Sequence, residues 1–274
     1  MFVKLKGKST EVEKLRFVLK YIKYKLFAKH RKGYGIHSPF LYDLIRNVLY
    51  KEINYYALDD IAELRYELLD CNETINVKDF GVGSKVMKSN IRKVKDIAKH
   101  SAISEKYGEM LFRLIEKFKP KTILELGTSL GLGTLYLAKP NSKANIFTIE
   151  GCPETTRKAT DNFKECKAEN INQIAGNIND KLPEFLNEID TLDFVCFDGN
   201  HQKEATLNYF NQCLLKTHND TIFYFDDIHW SKGMEEAWEK IKSNKAVTLT
   251  VDLFFSGIVF FRKELSKQDF VIRF

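Results

Sequence analysis

The chain has 274 residues, 44% hydrophobic and 29% charged, which suits one sizeable domain with an appendage or two small domains. Its net charge of +6 is uneven, because residues 1–35 carry eleven Lys/Arg against two Glu, a net of +9, which leaves −3 for the remainder. Five cysteines without CxxC spacing, a charged start and no apolar run of membrane length exclude a disulfide framework, a secretory signal and a membrane span. We therefore expect a soluble, cytoplasmic protein.

An amphipathic helix is predicted near the start of the chain, from Thr10 to Lys29. Thr10 and Glu13 form a capping box, and apolar residues then recur at three- and four-residue steps along one side. This stripe consists of Val12, Leu15, Leu19, Ile22 and Leu26. Lysines occupy much of the opposite side, so the helix is interpreted as packed on the domain with its lysines in solvent.

Further helices are predicted in an N-terminal region that extends over residues 1–100. The segment GYGIHSPF breaks the first helix, and Ser38 as N-cap with Pro39 at the first position starts the next one, through LYDLIRNVLY. The other expected elements are helices over 58–69 and 89–100 and a glycine loop, DFGVGS, at 79–84. We expect this helical region to serve as a lid or a docking element.

Strands and helices alternate in the second predicted domain, residues 101–274. Ser104 is expected to cap a helix through Lys117, and seven apolar segments follow. The predicted strands are 122–126, 145–150, 171–176, 192–198, 221–227, 246–252 and 257–263. Continuous apolar strands between helices indicate a parallel sheet covered on both faces, and the last two strands form an antiparallel hairpin. The predicted fold is α/β: a Rossmann-like, doubly wound, mostly parallel seven-stranded sheet.

The segment TILELGTSLGLGT (122–134) joins an acidic residue to a glycine loop. Glu125 lies at the end of a buried strand, and Gly127, Gly131 and Gly133 follow before the next helix. Glycines let the chain turn tightly and let a ligand approach the backbone. The spacing is neither the dinucleotide fingerprint nor a phosphate-binding loop. An acid in this turn favours a cationic ligand, because a carboxylate can bind an ammonium group.

Two further polar residues follow the next strands. Glu150 ends the second strand, 25 residues after Glu125, where it is placed to accept hydrogen bonds from both hydroxyls of a ribose. Asn177 follows the third strand, where its neighbourhood could read an adenine edge. Any one of the three could be an ordinary solvated loop residue, but three positions at successive strand ends together indicate a cofactor site.

Four motifs carry a family resemblance: LELGTSLGLGT, TIEGCPE, FDGNH and FDDIHW. Together they resemble the class I S-adenosylmethionine-dependent methyltransferases, and they are most similar to the catechol and caffeoyl-CoA O-methyltransferase type. The resemblance covers roughly residues 101–262, including the preceding helix ISEKYGEMLFRLI, and implies S-adenosylmethionine as cofactor. The implied cofactor residues are Glu125, Gly127 and Ser129 around the methionine part, the loop glycines Gly131 and Gly133, Glu150 at the ribose, Asn177 and Ile178 at the adenine, and Asp198.

The same resemblance implies a chemical site at the later strand ends. In the catechol type a divalent metal holds the substrate oxygen through two Asp and one Asn, and Asp198, Asp226 and Asp227 stand at the matching positions, with Asp227 in place of the Asn. Carboxylate oxygens suit Mg²⁺ or another hard divalent cation. The alternative is that Asp226 and Asp227 cap the next helix without an ion.

His201 replaces the family's lysine as candidate general base. With Asp198 it forms the predicted catalytic pair, and the alternative is a helix-start histidine bonded to a nearby carboxylate.

The sequence leaves three classes of function. The first, favoured by the resemblance, is an O-methyltransferase for a hydroxyl on a small-molecule acceptor. The second is an RNA or protein methyltransferase that docks through the basic N-terminus, although FDGNH is not the motif used for the amino groups of bases. The third is a non-catalytic cofactor-binding protein whose basic amphipathic helix makes peripheral contact with an anionic membrane.

Overall fold

The computed structural model describes residues 11–52, 55–78 and 89–274. The glycine loop predicted at 79–84 and the capping box of Thr10 and Glu13 lie outside the described residues and side chains. None of the described helices combines the length and the apolar character needed to cross a bilayer. All five cysteines are free thiols.

The described part of the chain alternates between helices and strands. The helices are α1 (Glu11–Phe27), α2 (Pro39–Leu44), α3 (Tyr56–Asp70), α4 (Val94–His100), α5 (Glu105–Phe118), α6 (Leu132–Ala138), α7 (Pro153–Glu165), α8 (Ile178–Glu188), α9 (Lys203–Leu214) and α10 (Lys232–Ser243). The strands are β1 (Thr74–Asn76), β2 (Ile91–Lys93), β3 (Thr122–Leu126), β4 (Asn145–Glu150), β5 (Ile171–Ala175), β6 (Phe194–Phe197), β7 (Ile222–Asp226), β8 (Leu249–Asp252), β9 (Ser256–Phe260) and β10 (Gln268–Val271).

The central sheet has eight strands in the order β10-β8-β9-β7-β6-β3-β4-β5. Neighbouring strands are parallel except at β9, which is antiparallel to both β7 and β8. The seven predicted strands therefore form the expected mostly parallel sheet with its antiparallel hairpin, and β10 adds an eighth strand beside β8. The carboxyl ends of β3, β4, β6 and β7 share one edge, where open parallel sheets bind their ligands.

Two hydrophobic clusters lie on the two faces of this sheet. Along β7, Ile222 and Tyr224 belong to one cluster and Phe223 and Phe225 to the other, as expected for a strand buried on both sides. The first cluster also contains residues of the N-terminal region, among them Leu41 of α2. The N-terminal helices thus share a core with the sheet, and the domain boundary at residue 100 is still only a prediction.

The sequence predicts helices and loops for the N-terminal region, but the structure also contains a pair of strands there. Strands β1 and β2 pair as an antiparallel ribbon, with Ile75 opposite Arg92. The helix predicted over 89–100 therefore begins only at Val94, where α4 starts. The backbone groups at the start of that segment bond across the ribbon, so a tertiary pairing overrides the local helical pattern.

Helix α1 packs on the C-terminal part of the chain through an aromatic face and not through the predicted stripe. The rings of Phe17 and Tyr21 lie 5.4 and 5.0 Å from that of Phe254, centroid to centroid, and Lys20 pairs with Glu235 at 2.5 Å. The described residues of the predicted stripe, Leu15, Leu19, Ile22 and Leu26, are exposed. Aromatic rings bury more apolar area than aliphatic side chains, which favours docking of the aromatic face.

Tyr24 anchors α1 through a buried hydroxyl that donates to the carbonyl of Ile272 at 2.6 Å and accepts the N–H of Phe274 at 2.8 Å. We expect Tyr24→Phe to lower the free energy of unfolding in urea by about 2 kcal/mol, because two buried backbone groups lose their partner. Tyr21→Phe, one turn away on a half-exposed ring, is the control and should change it by less than about 0.5 kcal/mol. Equal losses in the two variants would contradict this account.

Candidate active site

A narrow pocket lies at the carboxyl edge of the sheet, where β3 and β6 end. Five of the predicted site residues line it: Glu125, Gly127, Ser129, Gly133 and Asp198. The pocket also uses the segment Ser101–Ile103, which the sequence analysis did not assign. The available signal was that this segment leads into the sequence ISEKYGEMLFRLI, which begins at Ile103 and precedes the cofactor strand.

Close approach between β3 and β6 requires glycine at position 127. The φ of Gly127 is +103°, and an added Cβ would lie 2.6 Å from the carbonyl oxygen of Asp198. Gly131 serves a different purpose, because an added Cβ there would lie 2.4 Å from the ring of Phe163 in α7. One glycine of the loop therefore shapes the pocket, and another lets α6 pack against α7.

Glu125 lies at the base of the pocket and is 1% exposed. Its Oε2 accepts hydrogen bonds from the hydroxyls of Thr134 at 2.5 Å and Thr148 at 2.6 Å. Burial raises the pKa of Glu125 to about 7, although both threonine hydroxyls act to lower it. The carboxyl is thus held by two hydroxyls that the sequence analysis did not assign, and its contact with an ammonium group is still a prediction.

Glu150 ends β4 and orders the two loops beside it. Its Oε2 accepts the backbone N–H of Ser129 and its Oε1 that of Cys152, both at 2.8 Å. Burial raises the pKa of Glu150, whereas these backbone N–H groups act to lower it. Because each carboxylate oxygen has two acceptor sites, Glu150 keeps the capacity to accept ribose hydroxyls, the role predicted for it.

Asn177 and Ile178 lie at the next strand end, where α8 begins. The Oδ1 of Asn177 accepts the N–H of Asn179 at 2.9 Å and caps this helix. The side chain of Ile178 packs closely against Gly199. A Cβ added to Gly199 would lie 2.7 Å from the Cδ1 of Ile178. The cap uses one of the two acceptor sites of the amide oxygen, so the amide of Asn177 keeps the capacity for the predicted adenine contact.

The ends of β6 and β7 bring Asp198 and Asp226 together. The charge of Asp226 acts on Asp198, and the Tyr224 hydroxyl donates to Oδ1 of Asp226 at 3.3 Å. Burial and then the charge of neighbouring carboxylates, Asp227 among them, raise the pKa of both Asp198 and Asp226. Two like charges this close do not both ionise readily, which is why these pKa values rise. The predicted catalytic pair is also brought together, since Nε2 of His201 lies 3.7 Å from Oδ1 of Asp198.

The divalent-metal site implied by the resemblance is still a prediction. Among the described residues, no group of three or more His, Cys, Asp or Glu side chains is arranged to hold a metal ion. Asp227, the departure from the family's Asn, has a left-handed backbone with φ +54°. The described side chains of Asp198, Asp226 and Asp227 are therefore not arranged as a preformed cage of three ligands.

Aromatic side chains close the sheet edge beside Asp226. This residue pairs in register with Ser256 at the start of β9, so the turn between β8 and β9 lies next to it. Phe17 of α1 packs on this turn through Phe255, at a centroid distance of 6.2 Å, and on Trp230 at 6.3 Å. Helix α1 thus covers part of the edge that carries the candidate site, a placement that no local pattern could indicate.

His229 links helix α10 to strand β8 through hydrogen bonds. Its Nε2 lies 2.8 Å from Oδ2 of Asp252 and its Nδ1 lies 3.3 Å from Oε1 of Glu235. Burial lowers the pKa of His229, but the hydrogen bond and charge of Asp252 outweigh it, so the pKa is raised. Glu235 also binds Lys20 of α1. A polar network therefore links α1, α10 and β8.

Comparison with known proteins agrees with this architecture. Residues 124–228 match a family model described as a methyltransferase domain. Similar solved structures include an O-methyltransferase from Bacillus cereus in complex with S-adenosylhomocysteine, at 18% identity over 76% of this chain and 92% of that chain, with a TM-score of 0.55. A Podospora anserina methyltransferase bound to S-adenosylhomocysteine matches at 14% identity over 96% of this chain and 100% of that chain, with a TM-score of 0.57.

A Staphylococcus aureus protein assigned as a caffeoyl-CoA O-methyltransferase also matches, at 15% identity over 60% of this chain and 88% of that chain, with a TM-score of 0.53. At these identities the solved structures establish the fold, and the family model establishes the kind of domain. The resemblance seen in the sequence is confirmed: the chain carries a methyltransferase domain with the class I S-adenosylmethionine-dependent methyltransferase fold.

Proposed function

We propose that the chain transfers a methyl group from S-adenosylmethionine to a hydroxyl group of a small molecule. The observation that carries the proposal is the pocket in which Glu125 and Asp198 lie beside a glycine loop at the carboxyl edge of the sheet. Carboxylates suit a cofactor that carries positive charge, and a glycine loop lets it approach the backbone closely. The residues present therefore fit this cofactor.

Different residues of the chain bind the cofactor and remove the proton of the acceptor. When bound, S-adenosylmethionine supplies an electrophilic methyl group. Glu150 accepts the ribose hydroxyls while the N–H groups of Ser129 and Cys152 hold its carboxylate in place. Asp198, beside Asp226 and 3.7 Å from His201, takes the proton of the acceptor hydroxyl or passes it to the imidazole.

The aromatic cover favours a small acceptor over a polymer. Phe17 of α1 packs on Trp230 and on the turn beside Asp226, so this side of the edge is closed to an extended chain. An RNA or protein acceptor would need a more open path to Asp198 than the packing of α1 leaves on this side.

Calorimetry with S-adenosylhomocysteine tests the cofactor site. We expect the wild-type chain to bind it and Glu150→Gln to weaken binding by about 10- to 100-fold, since hydrogen bonds to a charged group contribute about 1.5–3 kcal/mol. Glu154→Gln, the same change four residues later in the first turn of α7, is the matched control, because that side chain accepts the N–H of Asn76 at 2.6 Å and not those of Ser129 and Cys152. Binding of NAD together with no measurable binding of S-adenosylhomocysteine would contradict the proposal.

A panel of small hydroxyl compounds then tests the reaction. Each compound is incubated with the enzyme and S-adenosylmethionine, and formation of S-adenosylhomocysteine is measured. Turnover that depends on a hydroxyl compound supports the proposed acceptor class. Turnover only with RNA or protein would move the assignment to a polymer methyltransferase.

A further inference from the structure

The outward side of α1 is a row of exposed aliphatic side chains. The exposed fractions are 59% for Leu15, 43% for Val18, 56% for Leu19, 48% for Ile22 and 72% for Leu26. Their three- and four-residue spacing places them on one side of the helix, and we call this row the outer stripe. Of the fourteen large hydrophobic side chains exposed in the described part of the chain, six belong to α1, the sixth being Phe27. Apolar exposure is therefore concentrated on this one helix.

Helix α1 cannot rotate to bury the outer stripe, because its opposite face is fixed. Tyr24 is hydrogen-bonded to Ile272 and Phe274, and Lys20 is paired with Glu235. Rotation of the helix would break these contacts and expose the aromatic face instead. A concentrated apolar surface on a helix held in this way marks a site of interaction with a partner or a membrane.

Positive charge borders the outer stripe. From residue 15 to residue 34 the sequence holds seven Lys/Arg and no Asp or Glu. The exposed cations of this segment are Arg16, Lys23, Lys29, Arg31 and Lys32. Arg16 and Lys23 are seven residues apart, so they lie along the same side of the helix, next to the stripe. The surface is therefore an aliphatic row with a cationic border.

We propose that α1 binds the surface of an anionic membrane, with the outer stripe at the boundary between headgroups and acyl chains and the cations against the headgroups. Helices with this combination of apolar and basic faces lie in the plane of the interface, and anionic lipid attracts Lys and Arg near the surface. A second copy of the chain is a poorer occupant. In a symmetric pair of α1 helices, Arg16 and Lys23 of each copy would face like charge without an acid in the segment to neutralise them.

Membrane binding through the outer stripe leaves the contacts of α1 with the rest of the chain in place. The aromatic face keeps its packing on the turn beside Asp226, and the cofactor pocket lies on other elements. The inference therefore does not depend on the proposed reaction, and the two can fail separately.

Vesicle sedimentation with the full chain tests the inference. We expect the wild type to sediment with vesicles of phosphatidylcholine and phosphatidylserine, and not with phosphatidylcholine alone. Leu19→Ser combined with Ile22→Ser should lower the affinity for the mixed vesicles by about tenfold or more, because apolar contact with the interface is lost. Arg16→Gln combined with Lys23→Gln should lower it as well, with less dependence on salt. The matched control is Leu215→Ser, which removes a side chain that is 83% exposed beyond the end of α9.

Two results would overturn the inference. One is a wild-type chain that does not sediment with the phosphatidylserine vesicles. The other is a dimer in analytical ultracentrifugation that Leu19→Ser with Ile22→Ser converts to a monomer, without vesicle binding by either protein, which would assign the outer stripe to a second copy. Because both side chains are exposed, the variant should keep the wild-type affinity for S-adenosylhomocysteine, and this measurement separates lost membrane binding from misfolding.

Discussion

We expect Asp198→Asn to lower the rate of methyl transfer by about 100- to 10,000-fold, the range that general acid–base groups contribute. Asp198 lines the cofactor pocket, lies 3.7 Å from His201, and has a pKa raised by burial and by the charge of Asp226. The amide cannot accept the proton of an acceptor hydroxyl and cannot hold the imidazole by charge. The measurement is the single-turnover rate of S-adenosylhomocysteine formation with a hydroxyl acceptor. Asp190→Asn, on an exposed residue before β6 at the opposite edge, should leave the rate unchanged.

Binding must be measured beside the rate, because Asp198 also lines the cofactor pocket. A variant that loses rate and keeps its affinity for S-adenosylhomocysteine supports the role in proton removal. An undiminished rate in Asp198→Asn would remove this carboxyl from the mechanism. The rate of the wild type should not change after dialysis against EDTA, since the described carboxyls form no metal cage. A loss that Mg²⁺ restores would show that they rearrange around a cation.

We expect the stability that Glu125 contributes to fall as pH rises, by up to about 3 kcal/mol between about pH 4.5 and about pH 7. Burial raises its folded-state pKa to about 7 from an ordinary value of 4.5. The folded chain therefore keeps a proton that the unfolded chain has already released. This contribution is complete below the ordinary pKa and is lost as pH rises through the folded-state pKa.

Glu125→Gln isolates this effect, because its amide is neutral at every pH and can still accept from the hydroxyls of Thr134 and Thr148. We expect the variant to gain stability relative to the wild type as pH rises towards neutrality, measured as the difference in free energy of unfolding in urea. Glu188→Gln, at the exposed end of α8, is the control and should show a flat difference. A flat difference for Glu125→Gln as well would mean that its carboxyl is solvated or paired in the folded state.

The sheet was predictable because its central strands are continuous apolar segments whose ends are marked locally. Strands β3, β6 and β7 are buried on both faces, so hydrophobicity alone identifies them. Strand β10 has no such signal, because none of its four residues is buried and it lies at the edge beside β8. An edge strand of this kind depends on the neighbour it pairs with, and that information lies elsewhere in the chain.

The sequence predicts the residues at the strand ends of the candidate site but not the residues that hydrogen-bond to them. Glu125 and Glu150 are identified by position, since a strand end is a local property. Their hydrogen-bond partners Thr148 and Ser129 are 23 and 21 residues away in the chain, on elements whose pairing the pattern does not give. The metal site is still a prediction, because matching residue types do not specify how Asp198, Asp226 and Asp227 are arranged.

Helix α1 shows the limit of an amphipathic pattern. The periodic aliphatic residues were correctly grouped on one side, but the helix has a second apolar side that contains Phe17, Tyr21 and Tyr24. Periodicity cannot decide which of two apolar sides finds a complementary surface. That surface is supplied by Phe254 and Phe274, over 200 residues further along the chain.

The contact between Tyr24 and Phe274 spans 250 residues of sequence, and this separation sets the order of events during synthesis on the ribosome. Helix α1 leaves the ribosome long before its docking partners are translated, and at about 5–20 residues per second the interval is about 10–50 s. During that time the aromatic face and the outer stripe are both exposed to water. A nascent chain therefore presents a helix that is apolar on two sides, and we expect its yield to depend on chaperones or on early contact with a bilayer more than its final fold suggests.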